Sequence, residues 1–167
     1  MTVVWLCLST VMARSAAPSL DHIHPVGFAR GTTNVVKMAG KVDPWPPQVW
    51  VQGEGVEITT LTNQNELQFV VSADVTPGAR LFRLFNEEGA SEPGLFVVSD
   101  GREILEEEPN NHFKDAMAVQ ELPVSIDGRL EKSGDVDSFR VPVSAGHQLI
   151  AAVDSHVLMS KLDAVLR

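Results

Sequence analysis

Glycine and proline divide this chain into short segments. Its 167 residues include twelve glycines and ten prolines, spread at turn-like intervals. The runs between them are rich in Val, Leu, Ile and Phe and are short, which is typical of strands rather than helices. Residues 44–47, Pro-Trp-Pro-Pro, cannot be helical, and Pro77-Gly78 predicts a turn. We therefore predict an all-β fold with many short strands.

The first part of the chain, residues 18–100, holds a full set of strands for a small sandwich. Seven short strands in about eighty residues predict an immunoglobulin-like sandwich. Trp50 is expected to be a core residue rather than a platform for a sugar ring. His22 and His24 are expected to serve in packing or at the surface, since no third metal ligand is near them. The predicted strands are 20–24, 35–39, 49–51, 56–61, 67–71, 81–85 and 95–98.

The order of short motifs in this first module resembles a known family. The chain reads Pro18-Ser19-Leu20, His24-Pro25 and Gly31-Thr32-Thr33 near its start, and Arg83-Leu84-Phe85-Asn86 and Phe96-Val97-Val98 near the end of the module. This layout resembles the IPT/TIG-type immunoglobulin-like domains of bacterial surface proteins. The resemblance implies one such domain over residues 18–100.

Charge and cysteine content exclude several classes of function. The net charge is −9 at pH 7, so the chain lacks the basic surface that nucleic acids or anionic membranes require. The acidic surface either serves solubility alone or clusters some carboxylates around a cation. The single cysteine, Cys7, permits neither an internal disulfide nor a cysteine-based zinc site.

The first residues are typical of an export signal. Residues 3–11 are apolar and too few to span a bilayer, and small residues come after them. Ala13 and Ser15 could occupy the positions before a cleavage site at Ala16, and Ser15 with Ala17 is a second option, although no Lys or Arg precedes the apolar run. We therefore expect a signal peptide over residues 1–17, a secreted or cell-surface protein, and no membrane span after signal removal.

An acidic segment and a later pair of aspartates predict a cation site. Glu108 precedes a proline and is held extended, so Glu106 and Glu108 point the same way. Like charges side by side are unfavourable unless a positive charge lies between them. Asn110 adds a carbonyl oxygen, and Asp135 and Asp137 lie at the mouth of a later strand. Hard oxygen ligands suit calcium, although the acids could equally form a solvated linker and a plain turn.

The same segments resemble a second family. They read Glu106-Glu107-Glu108-Pro109-Asn110-Asn111, Ile126-Asp127-Gly128, Gly134-Asp135-Val136-Asp137-Ser138-Phe139 and Leu162-Asp163-Ala164-Val165-Leu166. This order resembles the bacterial pre-peptidase C-terminal domain, a jelly-roll-like β-sandwich appended to secreted peptidases and other exported proteins. Related collagen-binding modules of clostridial collagenases bind calcium through a Glu-x-Glu-Pro-Asn segment and downstream aspartates. The resemblance implies that the calcium ligands are Glu106, Glu108, Asn110, Asp135 and Asp137.

The second module, residues 105–167, is expected to be only part of such a domain. The family continues with further strands beyond the last motif, so an incomplete jelly-roll-like sandwich is predicted. Four strands are expected in it, at 122–130, 139–143, 149–153 and 162–166. Because the strands that would cover its apolar face are absent, this module is expected to expose apolar surface and to be a fragment of a longer domain.

No motif of a catalytic site is present in the sequence. It contains no Gly-x-Ser-x-Gly elbow, no His-Glu-x-x-His and no glycine-rich phosphate loop. We therefore expect no enzyme activity. Two functions remain: a non-catalytic region that binds an extracellular protein or polysaccharide, and an accessory segment of a secreted peptidase.

Overall fold

The computed structural model describes residues 16–155, 158, 160 and 162–167. The predicted signal peptide, residues 1–17, lies outside the described residues except for its last two. Strands and loops make up almost all of this part of the chain, which confirms the all-β prediction. Among the described residues, no helix has the length and apolar character needed to cross a membrane.

The first module is a sandwich of two sheets, and all seven predicted strands are present in it. One sheet is antiparallel with the strand order β1-β3-β6-β5. Its strands alternate buried and exposed residues, as expected of a sheet with one face on the core and one in water. They are β1 (Ser19–His24), β3 (Thr33–Lys41), β5 (Val56–Thr60) and β6 (Glu66–Val71).

The facing sheet includes a strand that the sequence did not predict. This strand is short, begins at Gly27 and pairs in parallel with the last strand of the module. The chain therefore leaves the first sheet at the end of β1 and enters the second sheet at β2, and Pro25 lies between these two strands. The order is β2-β9-β7-β4, with β8 paired to β7. These strands are β2 (Gly27–Ala29), β4 (Gln48–Val51), β7 (Gly78–Asn86), β8 (Gly89–Ala90) and β9 (Gly94–Ser99).

Four phenylalanines fill the space between the two sheets. Phe28, Phe69, Phe82 and Phe96 are completely buried. The Phe69 ring lies 4.8 Å from that of Phe28, 5.6 Å from that of Phe82 and 5.3 Å from that of Phe96, between centroids. Full burial of each such side chain contributes about 1.5–3 kcal/mol. This cluster joins the two sheets into one well-packed core.

Trp50 and His22, on the strands β4 and β1, are exposed. The prediction that Trp50 is a core residue is wrong, because it is 50% exposed on the outer side of β4 while its neighbours Val49 and Val51 pack on the core. Its outward direction results from strand alternation. A bulge near Asp21 shifts the register of β1, so His22 is exposed and His24 is only half-buried.

A strand that the sequence did not predict lies just before the acidic segment and spans the predicted start of the second module. This strand, β10 (Arg102–Leu105), pairs in parallel with β12 (Val124–Asp127). A second parallel pair joins β11 (Met117–Ala118) and β13 (Phe139–Arg140). The strands predicted at 122–130 and 139–143 are therefore present in shortened form.

The last two predicted strands are wrong. Residues 149–153 and 162–166 are described, and they form no strand. Ile150 is 85% exposed and Val165 is 74% exposed, so the apolar side chains there do not pack on a core. A strand needs a partner for its backbone groups, and none of the described strands pairs with these runs.

Candidate metal centre

The five predicted ligands come from two stretches that lie next to each other. Glu106, Glu108 and Asn110 come after β10, whereas Asp135 and Asp137 precede β13. The Ser138 amide donates to the Asn110 carbonyl oxygen at 3.0 Å, which fastens the second stretch to the first. The parallel pairing of β11 with β13 also holds the chain after Asn110 against the chain after Asp137.

Asn110 is the organising residue of this site. It is completely buried, which is unusual for a polar side chain without a specific role. Its Nδ2 donates to Glu106 Oε1 at 2.6 Å, and its backbone amide donates to Glu108 Oε2 at 2.9 Å. Asn110 therefore aims both carboxylates at the same region.

Three carboxylates lie close enough to share one ion. One oxygen each from Glu106, Glu108 and Asp137 lies within 4.8 Å of the others. Calcium binds oxygens at about 2.3–2.6 Å, so two oxygens on one calcium are at most about 5.2 Å apart. The spacing of the three carboxylates fits this limit. Asp135 lies outside this group of three, although it borders it.

Several oxygens at this site have no hydrogen-bond donor among the described residues. They are Asn110 Oδ1, Asp135 Oδ1 and Asp137 Oδ1, and all three atoms are buried. The other Asp135 oxygen accepts the Glu131 amide at 2.7 Å. A buried polar atom left without a partner costs about 1–3 kcal/mol. A cation among these oxygens would satisfy them, so the donor set, made only of oxygens, fits calcium.

The electrostatic state of Asp137 reflects the crowding of negative charge. Its pKa is raised to about 6, first by burial and then by the negative charge of Glu106, by a hydrogen bond to Glu106, and by the charges of Asp135 and Glu108. Each of these makes the ionised carboxylate less favourable. A cation would act in the opposite direction and favour the ionised form.

Two main-chain contacts that sequence reasoning missed hold Glu106 in place. The Arg129 amide donates to Glu106 Oε2 at 2.7 Å, and the Glu106 amide donates to the Asp127 carbonyl oxygen at 3.0 Å. A Cβ on Gly128 would lie only 3.0 Å from Glu106 Oε2, so the absence of a side chain there permits the close approach. Gly128 lies in the Ile126-Asp127-Gly128 segment that the sequence singled out, but main-chain contacts of this kind leave no sign in residue type.

Comparisons with known proteins add a fold likeness and no family. No protein-family model matches the chain, and no curated protein matches it. Among solved structures, the chain is similar to a chimeric titin Z1Z2 functionalised with an exogenous KLER peptide from decorin, with 17% identity, a TM-score of 0.35, and coverage of 52% of this chain and 97% of that one. It is also similar to a gamma-CGTase from alkalophilic Bacillus clarkii, with 18% identity, a TM-score of 0.38, and coverage of 62% of this chain and 16% of that one. Neither likeness carries an argument about function.

Proposed function

We propose that this chain is a non-catalytic β-sandwich region of an exported bacterial protein, stabilised by calcium and used to bind an extracellular polymer or cell-surface partner. The observation that carries the calcium part is the convergence of Glu106, Glu108 and Asp137 around the buried amide of Asn110. The two motif resemblances support export and the absence of catalysis.

Calcium is the cation that this donor set favours. Carboxylates and one amide carbonyl, supplied by two irregular stretches of chain, match the irregular oxygen shells that calcium accepts. Magnesium requires near-octahedral geometry at shorter distances and keeps several waters, which a crowded set of acids does not provide. The ion would tie the segment after β10 to the loop before β13, so its role is structural.

Calorimetric titration of the whole chain with calcium tests this proposal. We expect heat of binding in the millimolar range or tighter, and weaker heat with magnesium. Glu108→Gln removes one carboxylate of the group and should weaken binding at least tenfold. Glu107→Gln is the matched control, because Glu107 is exposed and lies outside the group. Absence of heat with calcium, or equal binding by the two variants, would remove the site.

The exposed tryptophan supports the polymer-binding part of the proposal. Trp50 is 50% exposed on an edge strand, where a flat ring can stack on a sugar or on a peptide side chain. Cosedimentation with cellulose, chitin and collagen fibrils tests it, and Trp50→Ala should reduce the bound fraction. Val70→Ala, an exposed position on the other sheet, is the control. Equal binding of both variants would exclude Trp50 as the contact.

The alternative role, an accessory segment of a secreted peptidase, is supported by the second family resemblance. It predicts a peptidase domain encoded in the same gene. Sequencing the gene downstream of codon 167 distinguishes this role from the first.

A further inference from the structure

Asp127, at the end of β12, reaches out of the second module and binds the first. Its Oδ2 accepts the amide of Val26 at 2.8 Å and that of Gly27 at 2.6 Å. Its Oδ1 lies 3.7 Å from Nδ1 of His24. The Asp127 side chain is 7% exposed, so these contacts are shielded from water. Hydrogen bonds from backbone amides to a buried carboxylate are among the stronger ones in proteins.

The place where Asp127 docks is shaped for it. Val26 and Gly27 lie where the chain passes from β1 in one sheet to β2 in the other. A Cβ on Gly27 would lie 3.3 Å from Asp127 Oδ2 and 2.7 Å from Glu103 Oε2. The lack of a side chain at Gly27 therefore lets the acidic side chains of Glu103 and Asp127 come close to this backbone.

The same residue is bound to the candidate metal centre through its backbone. The Asp127 carbonyl oxygen accepts the amide of Glu106, and the carboxylate of Glu106 accepts the amide of Arg129, two residues after Asp127. The backbone amide and the carboxylate of Glu106 are thus both hydrogen-bonded to the segment formed by the end of β12 and the two residues after it. An ion that fixes Glu106 would therefore also restrain this segment, and with it the contact of Asp127 with the first module.

We propose that Asp127 anchors the second module to the first and that calcium binding at Glu106, Glu108 and Asp137 strengthens this anchor. The coupling rests on the proposed calcium function, whereas the anchor itself rests on the contacts of Asp127. Because coupling between two sites is reciprocal, loss of the anchor must weaken calcium binding. Typical couplings are about 5-fold to 150-fold in affinity.

Amide hydrogen exchange at Val26 and Gly27, measured on the whole chain with and without calcium, reports the anchor directly. In the wild type we expect slow exchange that calcium slows further. Asp127→Ala should make both amides exchange fast in either condition and should weaken calcium binding at least 5-fold by calorimetry. Asp127→Asn keeps one acceptor and should fall between the two. Asp115→Ala, an exposed position in the same module, should behave as the wild type.

The possible outcomes separate this inference from the proposed function. If the wild type binds calcium but Val26 and Gly27 exchange at the same rate with and without it, the coupling is refuted and the calcium site survives. If Asp127→Ala leaves their exchange slow, the anchor is refuted. If the wild type binds no calcium, the proposed calcium site fails and the coupling fails with it. Asp127→Asn keeps the measurement decisive should Asp127→Ala fail to fold.

Discussion

Replacing Asp137 by asparagine should stabilise the protein without calcium and destabilise it with calcium. Without the ion, Asp137 shares a small space with Glu106 and Glu108, and one oxygen of each lies within 4.8 Å of the others. Two unit charges at that distance repel by about 3 kcal/mol at an effective dielectric of about 20. Solvent around the exposed Glu108 reduces this, so we expect the variant to gain about 1 kcal/mol.

Calcium should make the wild type more stable than Asp137→Asn. An extracellular type of site with a Kd of about 0.1–1 mM, in about 10 mM calcium, stabilises the folded state by about 1–3 kcal/mol. Asp137→Asn loses a charged ligand, so calcium should stabilise the variant much less than the wild type.

Thermal unfolding followed by circular dichroism, in EDTA and in calcium at pH 7, measures both differences. A change of 1 kcal/mol shifts the Tm of a chain of this size by about 2–4 °C. Asp115→Asn, an exposed position in the same module, controls for the loss of one negative charge. If Asp137→Asn lowers the Tm equally in both conditions, the three carboxylates do not form a repulsive cluster that calcium relieves.

Three further predictions concern the pH dependence of stability and the behaviour of each module alone. The pKa of Asp137 is raised from 3.8 to about 6 in the folded protein, so the folded state binds this proton more tightly than the unfolded state does. Protonation of Asp137 therefore stabilises the metal-free fold at low pH, and this stabilisation is lost as the pH rises from 3.8 to about 6. The Tm difference between Asp137→Asn and wild type in EDTA should accordingly shrink from pH 7 to pH 4, and a constant difference would contradict the assignment. Residues 18–100, expressed alone, should melt cooperatively by calorimetry because the phenylalanine core lies wholly within them, and a broad transition would count against the boundary. Residues 105–167, expressed alone, should bind an apolar dye and exchange amides fast because Ile150 and Val165 are exposed, whereas a monomer protected over 149–153 would contradict this.

The fold of the first module was predictable because its strands are bounded by glycine and proline and carry buried residues on one face. The short strand β2 was missed because Gly27 has the residue type of a break, although its role is close approach to Asp127. Trp50 was misassigned because its size favours a core, whereas the alternation of β4 directs it outward. At Trp50 the size of the side chain predicted burial, whereas strand alternation predicted exposure, and the structure follows the alternation.

The sequence indicated which segments meet at the candidate site but not what supports them. Of the five residues predicted as ligands, the structure brings carboxylates of Glu106, Glu108 and Asp137 within 4.8 Å of one another, with Asn110 bound to both glutamates and Asp135 outside the group. The sequence could not reveal that Glu106 depends on the amides and carbonyls around Gly128, because every residue carries those groups. The strand at 149–153 was predicted from its apolar run and the strand at 162–166 from the family resemblance, and neither signal shows whether a partner strand is present.

The pairing of β2 with β9 has a mechanical consequence. The two strands run parallel, and β9 leads toward the second module. A force that pulls the start of β2 away from the end of β9 therefore acts along both strands and shears their hydrogen bonds together. The bonds on this path include Val97 N to Val26 O at 2.8 Å and Arg30 N to Ser99 O at 3.2 Å. Bonds loaded in this way must break together rather than one after another, so this pair of strands resists such a pull more strongly than a pair that is peeled apart from one end.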